Sequence, residues 1–440
     1  MHRSVVCALA VPAVLGIATL SAAADDARAC RDLKPGDDPP AACSRLFDGD
    51  AHRDRHDYDR AIADYDEAVR LDPKMAVAYK NRGNVHAIKH DDDRAIADYD
   101  EAIRLDPNKA VAYTSRGNAR WERHDRDRAI ADYGEAIRLA PNMAYGYFER
   151  GGAYSYQRDY DRAIADYDEV IRLAPKTVAA YVSRGNVYGC RHDHDRAIAD
   201  YDEAIRLDPT RVDAYTGRGS AYNAKHDYDQ AIADYDEAIR LDPTRVVAYI
   251  GRGSAYSHKH DYDQAIADDD EAVRRGPKTP IVYFGRGVVY AEMNKYDQAI
   301  ADFSEVIQLK PDYATPYAER GYAYGRKGDF DQAMADLNKA LSLAPKYAGG
   351  YAARAAVYEL RGDAGQALED VAEAIRLDPN NAFAYNIRGM AYFDTKQYAL
   401  AMADYEEALS LNPSLPGARE NLDRATAELR AAPATPQTPQ

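Results

Sequence analysis

The stretch AIADYDEAIRLDP at residues 95–107 decides how this chain is read. It is acidic, it carries an Asp-x-Asp pair in Asp98 and Asp100, and it ends on Asp-Pro. Paired carboxylates suit a metal ion or general acid–base work, so the first question is whether the stretch is a site or a scaffold. The same thirteen residues return at 197–209 and at 231–243, and residues 61–73 differ only in Val69. A catalytic centre is not copied along a chain in this way, whereas a stacking unit is.

Working outward, prolines stand at 39, 73, 107, 141, 175, 209, 243, 277, 311, 345, 379 and 413, always 34 residues apart, which marks out eleven units. Within the unit closing at Pro243, Ala231, Ile232, Tyr235, Ala238, Ile239 and Leu241 recur at helical spacing, with Asp234, Asp236, Glu237 and Arg240 between them. Upstream, Tyr215, Gly219 and Tyr222 lie on one face of a second helix. A mid-helix glycine costs about 1 kcal/mol relative to alanine. Its return from Gly83 to Gly389, with Ala355 as the one small substitute among the clear units, predicts a close helix–helix approach that a side chain would block.

A 34-residue helix–turn–helix period is the signature of the tetratricopeptide repeat. The residues agree: Tyr79, Gly83 and His86 in a first helix (A), then Ala95, Tyr99 and Ala102 in a second (B), closed by Pro107. Residues 40–413 strongly resemble that family, in its bacterial form AYxxRGxxY…DYDxAIADYDEAIRLDP. The resemblance implies an all-α, right-handed superhelical solenoid of about eleven helix–turn–helix units. It also accounts for 36 tyrosines against 7 phenylalanines, because 31 of them fall at four repeating positions as packing residues that can keep a hydroxyl near solvent. Asp98 has an equivalent in every unit, and an arginine such as Arg82 or Arg218 precedes the helix A glycine in ten. These are expected to form an interhelical Arg–Asp pair that fixes register.

Domain organisation follows. Residues 1–24 read as a signal peptide, with His2 and Arg3, an apolar run from Val5 to Leu20 and a small-residue cleavage site at Ala22–Ala24; retention as an anchor is the alternative. Residues 25–40 form an N-terminal segment, 41–73 a degenerate first unit or cap, 74–413 ten regular units, 414–432 a C-terminal capping helix and 433–440 a disordered tail. In the first unit Arg45, Asp48 and His52 replace the usual Tyr, Arg and Tyr. In an oxidising compartment Cys30 and Cys43 are a plausible disulfide, two free thiols being the alternative, and Cys190 is the odd cysteine. Similar bacterial relatives often begin with a cysteine-containing cap, which favours the bridge. The expected location is periplasmic or secreted.

The net charge of −16 argues against nonspecific nucleic-acid binding and against anionic membrane surfaces, and favours neutral or basic protein partners. In this family the concave groove is lined by helix A, so unusual side chains there are candidate anchors for an extended peptide or helix. They are Trp121, Tyr145, Phe148 and Tyr156, then Phe284 and Tyr322, with Ile250, Phe383, Met390 and Phe393 further along. Extra packing between A helices is the competing reading. Asn84, Asn118 and Asn186 share one groove position at which the family can hold a peptide backbone. The carboxylate clamp for chaperone tails is incomplete, because Lys80 and Asn84 fit it but Ser115, Tyr145 and Glu149 do not.

His56, His90, His124, His192, His226 and His260 recur at the A–B turn, where Gly328 and Gly362 also stand, so they read as turn residues. Cys190, His192 and His194, beside Asp193 and Asp195, raise a metal-binding alternative at the 190–195 turn. A second alternative is an envelope or secretion-complex assembly factor acting through an acidic convex face. No phosphate loop, nucleophile elbow, zinc-protease helix or separate catalytic region is present, and no cofactor or catalytic residue is expected.

Overall fold

The Asp-Pro that closes each copy of the motif also closes a helix. A residue before proline is excluded from the αR region, and Asp106 stands at φ −137° and ψ 88° directly after the helix Asp92–Leu105. That helix starts on Asp91, whose carboxylate accepts from the Arg94 amide, as capping requires. The turn before it is made by His90 at φ 59°, and His192 (60°), Gly328 (86°) and Gly362 (86°) serve equivalent turns. The expectation that these histidines are turn residues matches their backbone geometry.

In this computed structural model the described residues are Cys30 and 40–431. The signal peptide at 1–24 and the tail at 433–440 lie outside them. Among the described residues all regular structure is α-helical, and it falls into two compact units, one ending at Leu241 and one beginning at Asp242. In the first, six A–B pairs follow one another: α1–α2 (Ala41–Asp54, Tyr58–Leu71), α3–α4 (Ala76–Ile88, Asp92–Leu105), α5–α6 (Ala110–Glu122, Arg126–Leu139), α7–α8 (Ala144–Tyr156, Tyr160–Leu173), α9–α10 (Val178–Cys190, His194–Leu207) and α11–α12 (Val212–Ala224, Tyr228–Leu241). In the second there are five pairs and a last helix: α13–α14 (Val246–His258, Tyr262–Arg275), α15–α16 (Pro280–Glu292, Tyr296–Leu309), α17–α18 (Ala314–Lys327, Phe330–Leu343), α19–α20 (Ala348–Arg361, Ala364–Leu377), α21–α22 (Ala382–Asp394, Tyr398–Leu411) and α23 (Ala418–Ala431). Among the described residues the fold is an all-α helical-repeat solenoid of eleven pairs. No described helix is long and apolar enough to cross a membrane.

The Asp-Tyr-Asp triplet explains the stacking. The first carboxylate is gripped by the helix A arginine of its own pair: Arg82 Nε donates to Asp98 Oδ2 at 3.0 Å and Nη2 to Oδ1 at 2.6 Å. The same two-bond grip recurs from Arg116–Asp132 to Arg388–Asp404. The second carboxylate reaches onward, as Arg82 Nη1 bonds Asp66 of the preceding pair at 2.6 Å and Arg116 Nη1 bonds Asp100 at 2.6 Å. Ser304 Oγ and Asn338 Oδ1 take the carboxylate's place for Arg320 (2.9 Å) and Arg354 (2.7 Å), whereas Gly134 and Ala372 offer the following pair no acceptor at all.

The central tyrosine fills the space between consecutive A helices. Tyr201 is 1% exposed, and a Cβ on Gly185 or on Gly217 of the next pair would lie 2.9 or 2.5 Å from its ring. The close approach expected at the mid-helix glycines is therefore to this ring. The expectation that tyrosine hydroxyls stay near solvent does not hold at this position. Tyr99, Tyr133 and Tyr201 are buried and donate to Asn84, Asn118 and Asn186 at 2.8, 2.8 and 2.7 Å, because a buried phenol needs an acceptor.

At the N-terminal end α1 is a complete helix A, so residues 41–54 belong to a full pair. Where Asp48 replaces the arginine, Arg45 (3.2 Å) and His52 (2.7 Å) converge on Asp64 instead. Cys30 and Cys43 are disulfide-bonded and pack with Leu46, Ala61 and Tyr65. At the other end α23 buries Ala418 and Ala425, the latter against Tyr405.

Candidate protein-interaction surface

Helix A positions that do not repeat are where partner contacts can differ from scaffold contacts. Trp121, in the last turn of α5, packs over Ala129, Tyr133 and Ala153. Its ring meets that of Tyr156, in the last turn of α7, edge to face at 5.4 Å. Arg126, the first residue of α6, lies 4.1 Å from the Tyr156 ring centre and 5.6 Å from that of Trp121, and its Nη2 donates to the Tyr156 hydroxyl at 2.8 Å. Tyr156 remains 47% exposed, and it borders an open depression of about 430 Å³ lined with His124, Asp125, Arg126, Asp127 and Gln157. The cation–π stack and the hydrogen bond hold this exposed ring in one orientation. Arg126 was not singled out in the sequence. The available signal was its place at the start of helix B, where six other units have tyrosine.

The other groove candidates are more committed to the fold. Phe148 packs on Tyr167 at 5.8 Å, beside Tyr154 and Tyr160. Tyr145 accepts a hydrogen bond from Asn118 Nδ2 at 2.9 Å. Next to it Glu149 is buried, and burial pushes its carboxyl up to about 7. Phe284 lies 5.8 Å from Phe303 and 6.3 Å from Tyr313. Tyr322 meets Phe383 at 6.0 Å and accepts from Arg326 Nη1 at 3.3 Å. Asn84, Asn118 and Asn186 each use the amide oxygen to hold a buried tyrosine. Lys80 is buried, so it does not present a cation for a carboxylate clamp. The structure therefore brings Trp121 and Tyr156 together and places Phe148, Phe284 and Tyr322 in separate packing contacts.

At the 190–195 turn the rings of His192 and His194 stand 5.9 Å apart. Among the described residues no group of three or more His, Cys, Asp or Glu side chains is placed to hold a metal ion, at this turn or elsewhere.

Paired antiparallel helices on a fixed 34-residue pitch, with contacts to nearest neighbours, define a helical-repeat protein. Models of the tetratricopeptide repeat match residues 49–110, 114–176, 148–189, 178–211, 212–245, 314–347 and 382–415, and a TPR repeat model matches 289–328. The chain belongs to the tetratricopeptide-repeat family. Among solved structures it is similar to a tetratricopeptide repeat protein from Parabacteroides merdae, at 18% identity and TM-score 0.51 over 57% of this chain and 98% of that one. Looser likenesses are to an APC/C Cut9–Hcn1 hetero-tetramer (15%, TM-score 0.44, 87% and 96%) and to yeast Tom70 (18%, TM-score 0.42, 89% and 96%). At these identities the likeness is one of fold. No curated protein matches the chain.

Proposed function

We propose that the protein is a non-enzymatic protein–protein interaction scaffold, in which the A helices present anchors to an extended peptide or helix of a partner. The observation that carries this reading is the Trp121–Arg126–Tyr156 cluster. It unites the chain's single tryptophan with an exposed tyrosine beside an open depression, and tryptophan, tyrosine and arginine are the residue types that dominate binding energy at interfaces. The negative net charge favours a neutral or basic partner. The apolar leader at 1–24 and the Cys30–Cys43 bridge support an oxidising location, periplasmic or secreted.

The test is a paired capture. The chain, secreted under its own leader, and its Trp121→Ala/Tyr156→Ala variant are compared at equal helicity for the proteins each retains from a periplasmic extract at moderate salt. A protein held by the first and lost by the second supports the reading. Equal retention by both overturns the assignment of the anchor to this cluster.

A further inference from the structure

The triplet DYD becomes DDD once, at 268–270. Its middle residue, Asp269, takes the place filled by Tyr65, Tyr99, Tyr133, Tyr167, Tyr201, Tyr235 and Tyr405 in seven units and by Phe303, Leu337 and Val371 in three. The Tyr201 ring lies between the helix A of its own pair and that of the next. Asp269 is flanked by Gly253 on α13 and by Gly285 on α15, a position that is also glycine at 217 and 251, but the ring is gone. A Cβ added to Gly285 would meet nothing nearer than Asp269 Oδ1 at 4.0 Å, whereas at the equivalent Gly217 it would strike the Tyr201 ring at 2.5 Å. From the other side, Asp269 Oδ1 lies 3.1 Å from a Cβ added to Gly253. The carboxylate therefore points between the two A helices, into the space the other units fill with a phenol.

This side chain is only 4% exposed. Its neighbours in the triplet are both engaged. Arg252 donates to Asp268 at 2.8 and 2.6 Å, and Arg286 Nη1 donates to Asp270 at 2.6 Å. The rest of the Arg286 guanidinium is held by Asp302 at 2.8 and 2.6 Å. Among the described residues no hydrogen bond or ion pair within 4 Å reaches Asp269, and burial together with Asp268 pushes its carboxyl well above the usual range, against a weaker opposing pull from Arg286. An acid buried without a donor weakens a fold, and trading a packed ring for a short side chain weakens it again.

We propose that the slot between α13 and α15, floored by Asp269, is a pocket for one lysine or arginine side chain of an extended partner polypeptide. The aliphatic stem takes the volume of the missing ring, and the cationic head meets the carboxylate. Ser254, like Ser220 in the unit of Tyr235, stands where Asn84, Asn118 and Asn186 stand in their units. Phe284, half-buried against Phe303 and Tyr313, is on the same helix as Gly285. The charge of the whole chain steers a basic segment toward it. This inference rests on the peptide-scaffold reading but uses a different part of the molecule.

The experiment uses n-butylguanidinium and n-butylammonium as probes of the two side chains, with n-butanol as the neutral control, read by saturation-transfer NMR and melting temperature on the full secreted chain. Saturable binding of the cations but not of butanol is expected. Asp269→Tyr, which restores the residue of seven sister units, should raise the melting temperature and abolish that binding. Asp269→Asn, which keeps the slot, should weaken it by at least about tenfold. Absence of saturable binding to the native chain, or equal binding by native and Asp269→Tyr chains, overturns the proposal. Failure here with success in the Trp121/Tyr156 capture would remove this pocket alone. The converse would leave the pocket and remove the anchor cluster.

Discussion

Arg82 holds Asp98 of its own helix pair through two hydrogen bonds and Asp66 of the preceding pair through a third. One guanidinium therefore sets the register within a unit and the spacing to its neighbour. Arg82 is 18% exposed and Asp98 8%, so solvent cannot replace the lost partner. Arg82→Ala should destabilise its neighbourhood by about 3 kcal/mol, the usual effect of stranding a buried charge. Arg82→Lys should recover little, because a point charge cannot reproduce the fork. Hydrogen exchange in α3 and α4, compared with distant helices, measures the loss locally.

The glycine–tyrosine contact makes a second prediction. A Cβ on Gly389 would lie 2.6 Å from the Tyr405 ring, so Gly389→Ala should cost about 1–3 kcal/mol through overpacking. Where the ring is replaced by Val371, the facing residue is Ala355, and both are fully buried. Combining Gly389→Ala with Tyr405→Val should therefore cost less than the two single changes added together. A double-mutant cycle by urea denaturation gives the sign.

The turn histidines sit in a backbone region that L-residues enter at a cost. His90 at φ 59° does the work that Gly328 and Gly362 do without that cost. His90→Gly should stabilise the chain by about 1 kcal/mol, visible as a higher melting temperature. An unchanged or lower value would show that the imidazole makes contacts that outweigh its backbone strain.

Glu149 gives the pH dependence. Burial moves its carboxyl from an ordinary 4.5 to about 7. The folded chain thus binds its proton more tightly than the unfolded chain does. The resulting stability is present in full below about 4.5 and is lost as pH rises through about 7. The displacement corresponds to roughly 3 kcal/mol. Glu149→Gln should flatten this part of the stability profile and be the more stable protein at pH 8. Denaturation midpoints between pH 4 and pH 8 test both statements.

Much of this was legible in the sequence. The spacing of the prolines marked the pairs, and the arginine before each glycine pointed to its aspartate, because both signals lie within one unit and follow helical periodicity. What could not be read is which side chains of different helices meet. Asn84 could be placed on helix A, but not the tyrosine hydroxyl from α4 that engages its amide oxygen. Phe148 read as an anchor, yet a ring from α8 packs on it. Arg126 acquires a role only with Trp121 and Tyr156 beside it. Asp269 differs from its sister residues by one letter in an already acidic run, and its meaning appears only with the two glycines that frame it.

The missing carboxylates at Gly134 and Ala372 have a mechanical consequence. Pulled from its ends, a linear stack yields where the fewest links span a joint. The joints after α6 and after α20 lack the arginine rung that ties α1–α2 to α3–α4. Under force the chain should tear first at those two joints, shedding blocks of whole helix pairs as discrete steps in extension.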